Sequence, residues 1–268
     1  MALFIDIHTH LDQYDPGELP GILNRAADAG VGVIVAAGVT LAGTRRCIDL
    51  AVARERVFAG AGVHPQDLER DLDGGAIEEL TRLAASGEVV VMSEIGLDYQ
   101  ARSPDRDMQR RAFRTQIGVA RELGLPVVFH MREATGDTLR ILGEEGAAQV
   151  GGAAHYFQGT WDDAAAIMDL GFYISLAKPL LRLPELQAVA SRLPLSSVVL
   201  ETDCYPQPFK AKRSKWTEPK DVPLVAGKLA EIKGITVDEV REATTANFLK
   251  MLGGRGSAIA PLVGAAGS

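Results

Sequence analysis

The first residues of the chain that could do chemistry are His8 and His10, which end a short apolar run. Alternate side chains of a strand share a face, so we expect both imidazoles to point the same way, with Asp6 behind them. Two neighbouring imidazoles at the end of a buried strand can bind a divalent metal ion. The alternative is a strand that ends in two surface histidines, because short motifs often match by chance.

The elements that must position these residues are eight apolar, β-branched runs that alternate with helical patterns. The predicted strands are Leu3–His10, Val31–Val39, Val57–Val63, Val89–Ile95, Pro126–Met131, Gly151–Phe157, Phe172–Leu176 and Ser197–Asp203. This alternation predicts an α/β fold, a closed (β/α)₈ TIM barrel. An open doubly wound sheet is the competing architecture, but no Gly-rich phosphate-binding sequence follows the first strand. We expect one domain over residues 1–252 and a flexible tail over 253–268.

In a parallel barrel the carboxyl ends of the strands share one rim, where the chemistry takes place. All five histidines fall at predicted strand ends, together with two carboxylates. The residues are His8, His10, His64, Glu94, His130, His155 and Asp203. Histidines are ordinarily scattered, so this convergence favours a metal site over isolated surface histidines.

Four of the histidines and both carboxylates can hold two divalent ions. In the division that we predict, His8, His10 and Asp203 bind one ion. His130 and His155 bind the other, and Glu94 bridges the two. A carbamylated lysine from the first six strands cannot take the bridging position, because no lysine precedes Lys178.

Such a site would be suited to hydrolysis at an anionic centre. Two carboxylates against two dications leave a charge of about +2, which favours a phosphate group. Asp203 could also accept the proton of the attacking water as a general base, and Glu94 would hold the ions in the catalytic position. Mixed imidazole and carboxylate ligands suit Zn²⁺, Mn²⁺, Fe²⁺ or Mg²⁺.

Two further residues are predicted to bind substrate. His64 could contact a phosphate or donate a proton, and the alternative is a histidine that caps the loop before Pro65. Arg132 could hydrogen-bond a phosphate oxygen, and the alternative is a salt bridge with Glu133 or another acid.

A basic segment follows the eighth strand. Its cations are Lys210, Lys212, Arg213, Lys215 and Lys220. Together with Trp216 they would suit a nucleic-acid backbone and a stacked base, whereas the alternative is a solvated loop. Glu201 could orient a metal-bound histidine or be a buried structural carboxylate.

The composition narrows the class of protein. The net charge of −7 argues against a protein that coats nucleic acid, although it leaves room for a local basic groove. With only Cys47 and Cys204, we expect no disulfide framework and a reducing compartment. Asp6 and His8 interrupt the early apolar run, so we expect no signal peptide. The expectation is a cytoplasmic monomer with no membrane contact and no obligate protein partner.

Taken in order, the motifs resemble those of the TatD family of metal-dependent deoxyribonucleases, within the amidohydrolase-like barrels. They are Asp6-Ile7-His8-Thr9-His10-Leu11-Asp12, Gly62-Val63-His64-Pro65, Glu94-Ile95-Gly96-Leu97-Asp98-Tyr99, His130-Met131-Arg132-Glu133-Ala134, Glu201-Thr202-Asp203 and Thr245-Ala246-Asn247-Phe248. The resemblance implies divalent-metal-dependent hydrolysis of DNA phosphodiesters with the six ligands named above.

Positions that line the pocket depart from the family pattern. Gln66 stands where the family usually has a second histidine after the proline, and Tyr156-Phe157-Gln158 replaces Cys-Phe-Ser. Cys204-Tyr205-Pro206-Gln207 stands where Pro-Tyr-Leu or a similar segment is usual. Hydrolysis is therefore the firmer expectation and DNA the weaker one.

Three hypotheses follow. The first is a two-metal hydrolase that cuts DNA phosphodiesters, as an exonuclease acting from an end. The second keeps the metal site but acts on a small ester, lactone, amide or phosphomonoester. The third is a metal-bearing barrel that binds nucleic acid or a protein partner without turnover.

Overall fold

The computed structural model of the chain describes residues 2–264. Its strands are β1 (Phe4–Thr9), β2 (Val31–Ala37), β3 (Val57–Ala61), β4 (Val89–Asp98), β5 (Val127–Arg132), β6 (Gly152–Ala154), β7 (Tyr173–Leu176) and β8 (Val198–Leu200). They form one sheet in the order β1 to β8, with parallel pairing. The predicted strands are found, and the (β/α)₈ class is confirmed.

Helices follow the strands in alternation. They are α1 (Leu19–Asp28), α2 (Leu41–Val52), α3 (Gly74–Ala84), α4 (Arg106–Leu123), α5 (Thr135–Glu144), α6 (Trp161–Asp169), α7 (Pro184–Arg192), α8 (Val222–Lys233) and α9 (Val237–Leu252). Local sequence explains their limits. The carboxylate of Asp105 caps the start of α4, and Gly124, with a φ of 64°, ends it in the left-handed region that glycine tolerates.

The chain divides into two compact units. The first unit comprises Met1–Ala36, Tyr156–Ala164 and Ser175–Ser268. The second unit comprises Ala37–His155 and Ala165–Ile174. The expectation of one domain over residues 1–252 stays a prediction.

In the first unit, α9 packs against β1 and β8. The hydroxyl of Thr245 donates to the Leu3 carbonyl at 2.9 Å, and the Asn247 side-chain amide donates to the Val198 carbonyl at 2.8 Å. The Thr-Ala-Asn-Phe motif therefore fixes the starts of two strands whose far ends carry site residues.

In the second unit, β4 pairs with β3 and β5 while α4 packs against it. All ten residues of β4 are buried, as expected for a strand of a parallel sheet covered on both faces. Phe113 and Ile117 lie on α4, the helix that packs against β4, and both are fully buried. This packing gives β4 a fixed position, which matters because it carries Glu94.

The predicted tail begins with two short 3₁₀ helices, Gly253–Ala258 and Ala260–Val263. Ile259 and Val263 are buried, and the Leu3 N–H donates to the Val263 carbonyl at 2.8 Å. Residues 265–268 of that tail lie outside the described residues, and its flexibility stays a prediction.

Within residues 2–264, none of the helices combines the length and the apolar character that a bilayer crossing requires.

Candidate metal centre

The first unit brings His8, His10 and Asp203 together. Asp203 Oδ1 lies 3.1 Å from His10 Nε2 and 3.9 Å from His8 Nε2. Backbone bonds align the segments, since Asp203 N–H donates to the His8 carbonyl at 3.0 Å and His10 N–H donates to the Cys204 carbonyl at 2.8 Å. Three residues predicted to share an ion are therefore neighbours.

Asp6 supports this group through the backbone rather than through an imidazole. Its carboxylate accepts the Thr202 N–H at 2.9 Å and the Thr202 hydroxyl at 2.5 Å, and it lies 3.4 Å from the His8 backbone nitrogen. Burial raises the pKa of Asp6 well above its ordinary value, although the bonds from Thr202 act against that rise. The side chain joins β1 to the residues that follow β8.

Glu201 is a buried carboxylate of the first unit. It accepts the Tyr156 N–H at 2.6 Å and the Ser175 hydroxyl at 2.6 Å. Tyr156 and Asp203 have positive φ angles of 46° and 52°, a region that non-glycine residues enter rarely and mainly at functional sites. Glu201 therefore holds the backbone at Tyr156.

The second unit gathers three imidazoles around one oxygen of Glu94. Glu94 Oε1 lies 3.0 Å from His130 Nδ1, 3.4 Å from His64 Nε2 and 3.4 Å from His155 Nε2. Burial alone would raise the pKa of Glu94, but the imidazoles outweigh it and hold that pKa well below its usual range. Glu94 is therefore ionised and acts as an acceptor.

His64 belongs to this group more closely than its sequence position indicates. The ligand atoms of His64, Glu94 and His130 lie within 4.8 Å of one another, so His64 is a candidate ligand as well as a candidate substrate contact. Its Nδ1 lies 3.1 Å from the Gln66 N–H, so the capping alternative is also realised. Burial would lower the pKa of His64, but the carboxylates of Glu94 and Asp67 raise it to about 9.

Asp98 is a site residue to which the sequence interpretation gave no role. Its Oδ2 lies 2.9 Å from His130 Nε2, while its Oδ1 accepts the Ser103 hydroxyl at 2.7 Å. Burial would raise the pKa of Asp98, but the bonds from His130 and Ser103 lower it below its ordinary value. The spacing in the sequence could have indicated this role. Residues 94 and 98 are an even number apart in one strand, so their side chains share a face.

Two buried glutamines of α4 hold the backbone beside these residues. The Gln116 side chain accepts the Val63 N–H at 2.7 Å and donates to the Val63 carbonyl at 3.0 Å. Gln109 makes the same pair of bonds with Asp98, both at 2.8 Å. They are two helical turns apart on α4, so one helix face positions two site segments.

Arg132 lies at the end of β5 and is exposed. Its Nη1 donates to Gln100 Oε1 at 3.2 Å and lies 3.7 Å from Asp98 Oδ2. The salt-bridge alternative is thus found with Asp98 rather than with Glu133. Since 45% of its side chain is exposed, the guanidinium still has donors to offer an anion.

The basic segment is partly neutralised by ion pairs. Arg213 lies 2.8 Å from Glu18 and 2.7 Å from Glu218, and Lys220 lies 3.4 Å from Glu218. Lys178 pairs with Asp221 at 2.6 Å. These ion pairs link parts of the first unit, and contact of the basic segment with nucleic acid stays a prediction.

The group around Glu94 fits a divalent metal ion, since the ligand atoms of His64, Glu94 and His130 lie within 4.8 Å of one another. Ligand bonds of about 2.0–2.2 Å place the ligand atoms of one tetrahedral ion roughly 3.4 Å apart. The separations of 3.0–3.4 Å around Glu94 Oε1 match that spacing. Imidazole and carboxylate donors suit zinc, manganese or ferrous ions.

The chain is similar to known proteins over most of its length. The family model for TatD related DNase matches residues 5–253. The uncharacterized metal-dependent hydrolase YabD of Bacillus subtilis is 34% identical over 256 residues, which cover 93% of this chain and 98% of that protein. The deoxyribonuclease TATDN3 of Homo sapiens is 33% identical over 266 residues, which cover 92% of this chain and 93% of that protein.

A solved structure shares the fold. The crystal structure of YjjV, a TatD homolog from Escherichia coli K12, matches with a TM-score of 0.84 and 29% identity. The match covers 92% of this chain and 97% of that chain. The chain therefore belongs to the TatD family of metal-dependent hydrolases.

Proposed function

We propose that this protein hydrolyses phosphodiester bonds of DNA, as an exonuclease that acts from a strand end. The observation that carries the proposal is the set of three imidazoles around the ionised Glu94. The naming of the TATDN3 relative as a deoxyribonuclease supports the choice of DNA.

We propose two divalent ions, as the sequence predicts. His8, His10 and Asp203 would hold one ion, and His130 and His155 would hold the other. Glu94 would bridge them, and His64 is an added candidate ligand. Bound ions would polarise the scissile phosphate and lower the pKa of a nearby water.

Three side chains would then carry out proton transfer and substrate binding. Asp203 is 18% exposed, so its carboxylate can accept the proton of the attacking water as general base. His64 would contact the phosphate or donate a proton to the leaving oxygen. Arg132 would hydrogen-bond a phosphate oxygen, since 45% of its side chain is exposed at the end of β5.

The test compares substrates on the metal-loaded protein. We expect kcat/KM for a linear single-stranded oligonucleotide to exceed that for small esters, lactones and phosphomonoesters, and circular single-stranded DNA to resist cleavage. We expect Asp203→Asn to lower kcat by about 10²- to 10⁴-fold, the usual contribution of a general base. Faster turnover of a small ester than of any oligonucleotide would favour the small-substrate hypothesis instead.

A further inference from the structure

The loop that follows β8 combines positive charge with an exposed aromatic ring. Residues 204–217 include four cations and no acidic residue, although the whole chain has a net charge of −7. Phe209 in this loop is 70% exposed. A ring that exposed adds little to folding stability, and it is accessible to a ligand.

The cations of the loop separate into two classes. Arg213 is engaged by Glu18 and Glu218, and Lys210 donates to Gln207 at 2.6 Å. Lys212 and Lys215 are exposed, and among residues 2–264 neither ammonium group has an ion pair. Their charge is therefore available to an anionic partner.

The ring that the sequence offered for stacking is already occupied. Trp216 lies against the Arg213 guanidinium, whose central carbon is 4.3 Å from the ring centroid, and its centroid is 6.3 Å from that of Tyr14. The Phe209 ring, by contrast, is largely exposed. It is six residues from Asp203, a span of at most about 20 Å along the chain.

We propose that Phe209, Lys212 and Lys215 form a subsite for single-stranded DNA, next to the reacting phosphate. This inference rests on the proposed function. A base stacks on the Phe209 ring, which is tolerant of sequence because every base has a π face. The two ammonium groups lie along the phosphates of the strand, which gives binding that weakens with salt.

The test measures binding of a fluorescein-labelled phosphorothioate oligothymidylate to the metal-loaded, full-length protein by fluorescence anisotropy. We expect Phe209→Ala to raise Kd about fivefold or more, and Phe209→Trp to restore binding. The double variant Lys212→Gln, Lys215→Gln should reduce the slope of log K against log salt by about 1.4, since each phosphate contact contributes about 0.7.

Matched controls come from two side chains of α8, Lys228 and the exposed Leu224. Leu224→Ala removes a side chain that is 54% exposed, and Lys228→Gln removes an ammonium that pairs with Glu231. Both controls should bind the oligonucleotide as the wild type does. Equal losses in the control and loop variants would overturn the subsite.

Cleavage assays distinguish a failure of the proposed subsite from a failure of the proposed nuclease activity. If the subsite exists, Phe209→Ala lowers the ratio of kcat/KM for an oligonucleotide to kcat/KM for bis(p-nitrophenyl) phosphate. If the wild type cleaves DNA but the loop variants bind and cleave as it does, the subsite is wrong and the nuclease stands. If the wild type neither binds nor cleaves the oligonucleotide, both proposals fall.

Discussion

The His130 ring is held between two carboxylates, with Nε2 2.9 Å from Asp98 Oδ2 and Nδ1 3.0 Å from Glu94 Oε1. A carboxylate that is hydrogen-bonded to one imidazole nitrogen fixes both the orientation of the ring and its tautomer. His130 therefore presents Nδ1 toward Glu94. Asp98 acts through His130, so it is a positioning residue.

The first prediction concerns Asp98→Asn, which keeps the size of the side chain but removes its charge. We expect metal affinity to fall about 10- to 100-fold, because the ligand ring loses its charged partner. Competition with a chromophoric chelator measures this affinity without reference to turnover. Asp71→Asn, which breaks an exposed ion pair with Arg111, is the control and should retain the metal. Unchanged affinity in Asp98→Asn would remove the positioning role.

The second prediction concerns Gln116→Leu. This change leaves the N–H and carbonyl of Val63 without their side-chain partner inside the second unit, so we expect a loss of about 2–4 kcal/mol in the free energy of unfolding. Urea denaturation measures it. Gln187→Leu breaks one bond of a half-buried glutamine and should cost about 1 kcal/mol. Equal losses of unfolding free energy in the two variants would contradict the role of Gln116 in holding the backbone of Val63.

The third prediction concerns Gly96, where β4 approaches β5. Its φ is 140°, and an added Cβ would lie 2.1 Å from the His130 carbonyl oxygen. Gly96→Ala must therefore displace the backbone of His130, and we expect a loss of more than about 3 kcal/mol in stability. Gly118→Ala in α4 meets no atom within 4 Å and should be neutral or stabilise by about 1 kcal/mol. Thermal melts of both variants provide the comparison, and a stable Gly96→Ala protein would contradict the geometry.

The fourth prediction concerns pH and Glu218, which Arg25 and Arg213 contact at 2.8 and 2.7 Å. Burial would raise the pKa of Glu218, but the arginines lower it below its ordinary 4.5. A lowered folded-state pKa stabilises the protein above pH 4.5, and this contribution disappears as the pH falls through the folded-state pKa.

Glu218→Gln should accordingly cost about 2 kcal/mol of unfolding free energy at neutral pH. The difference from the wild type should shrink as the pH falls below 4.5. Urea denaturation across this range measures it, with Glu231→Gln, an exposed partner of Lys228, as the control. If the difference in unfolding free energy between the wild type and Glu218→Gln grew toward acid pH, the pKa of Glu218 could not be lowered in the folded state.

The strands could be predicted from the sequence, and so could the proximity of candidate ligands within each unit, because both depend on local patterns. Apolar runs identify buried strands, and residues at strand ends meet at one rim of a parallel barrel. His10 and Asp203 are far apart in the chain, yet the strand-end rule was enough to predict their contact.

The contacts that hold the site were harder to predict, because they depend on side chains meeting across elements. Gln116 could not be assigned to Val63 without knowing which face of α4 packs against the loop. The ion pair of Arg213 could not be predicted either, since its partner Glu18 is distant in sequence. Charge runs show composition but not which acids neutralise them.

The most direct test is the rate of single-stranded oligonucleotide cleavage while metal-free protein is titrated with Mn²⁺. Two ions at the imidazole and carboxylate groups predict no cleavage in chelator and a rate that rises to a plateau at two equivalents per chain. Cleavage at the full rate in excess chelator would contradict the central claim.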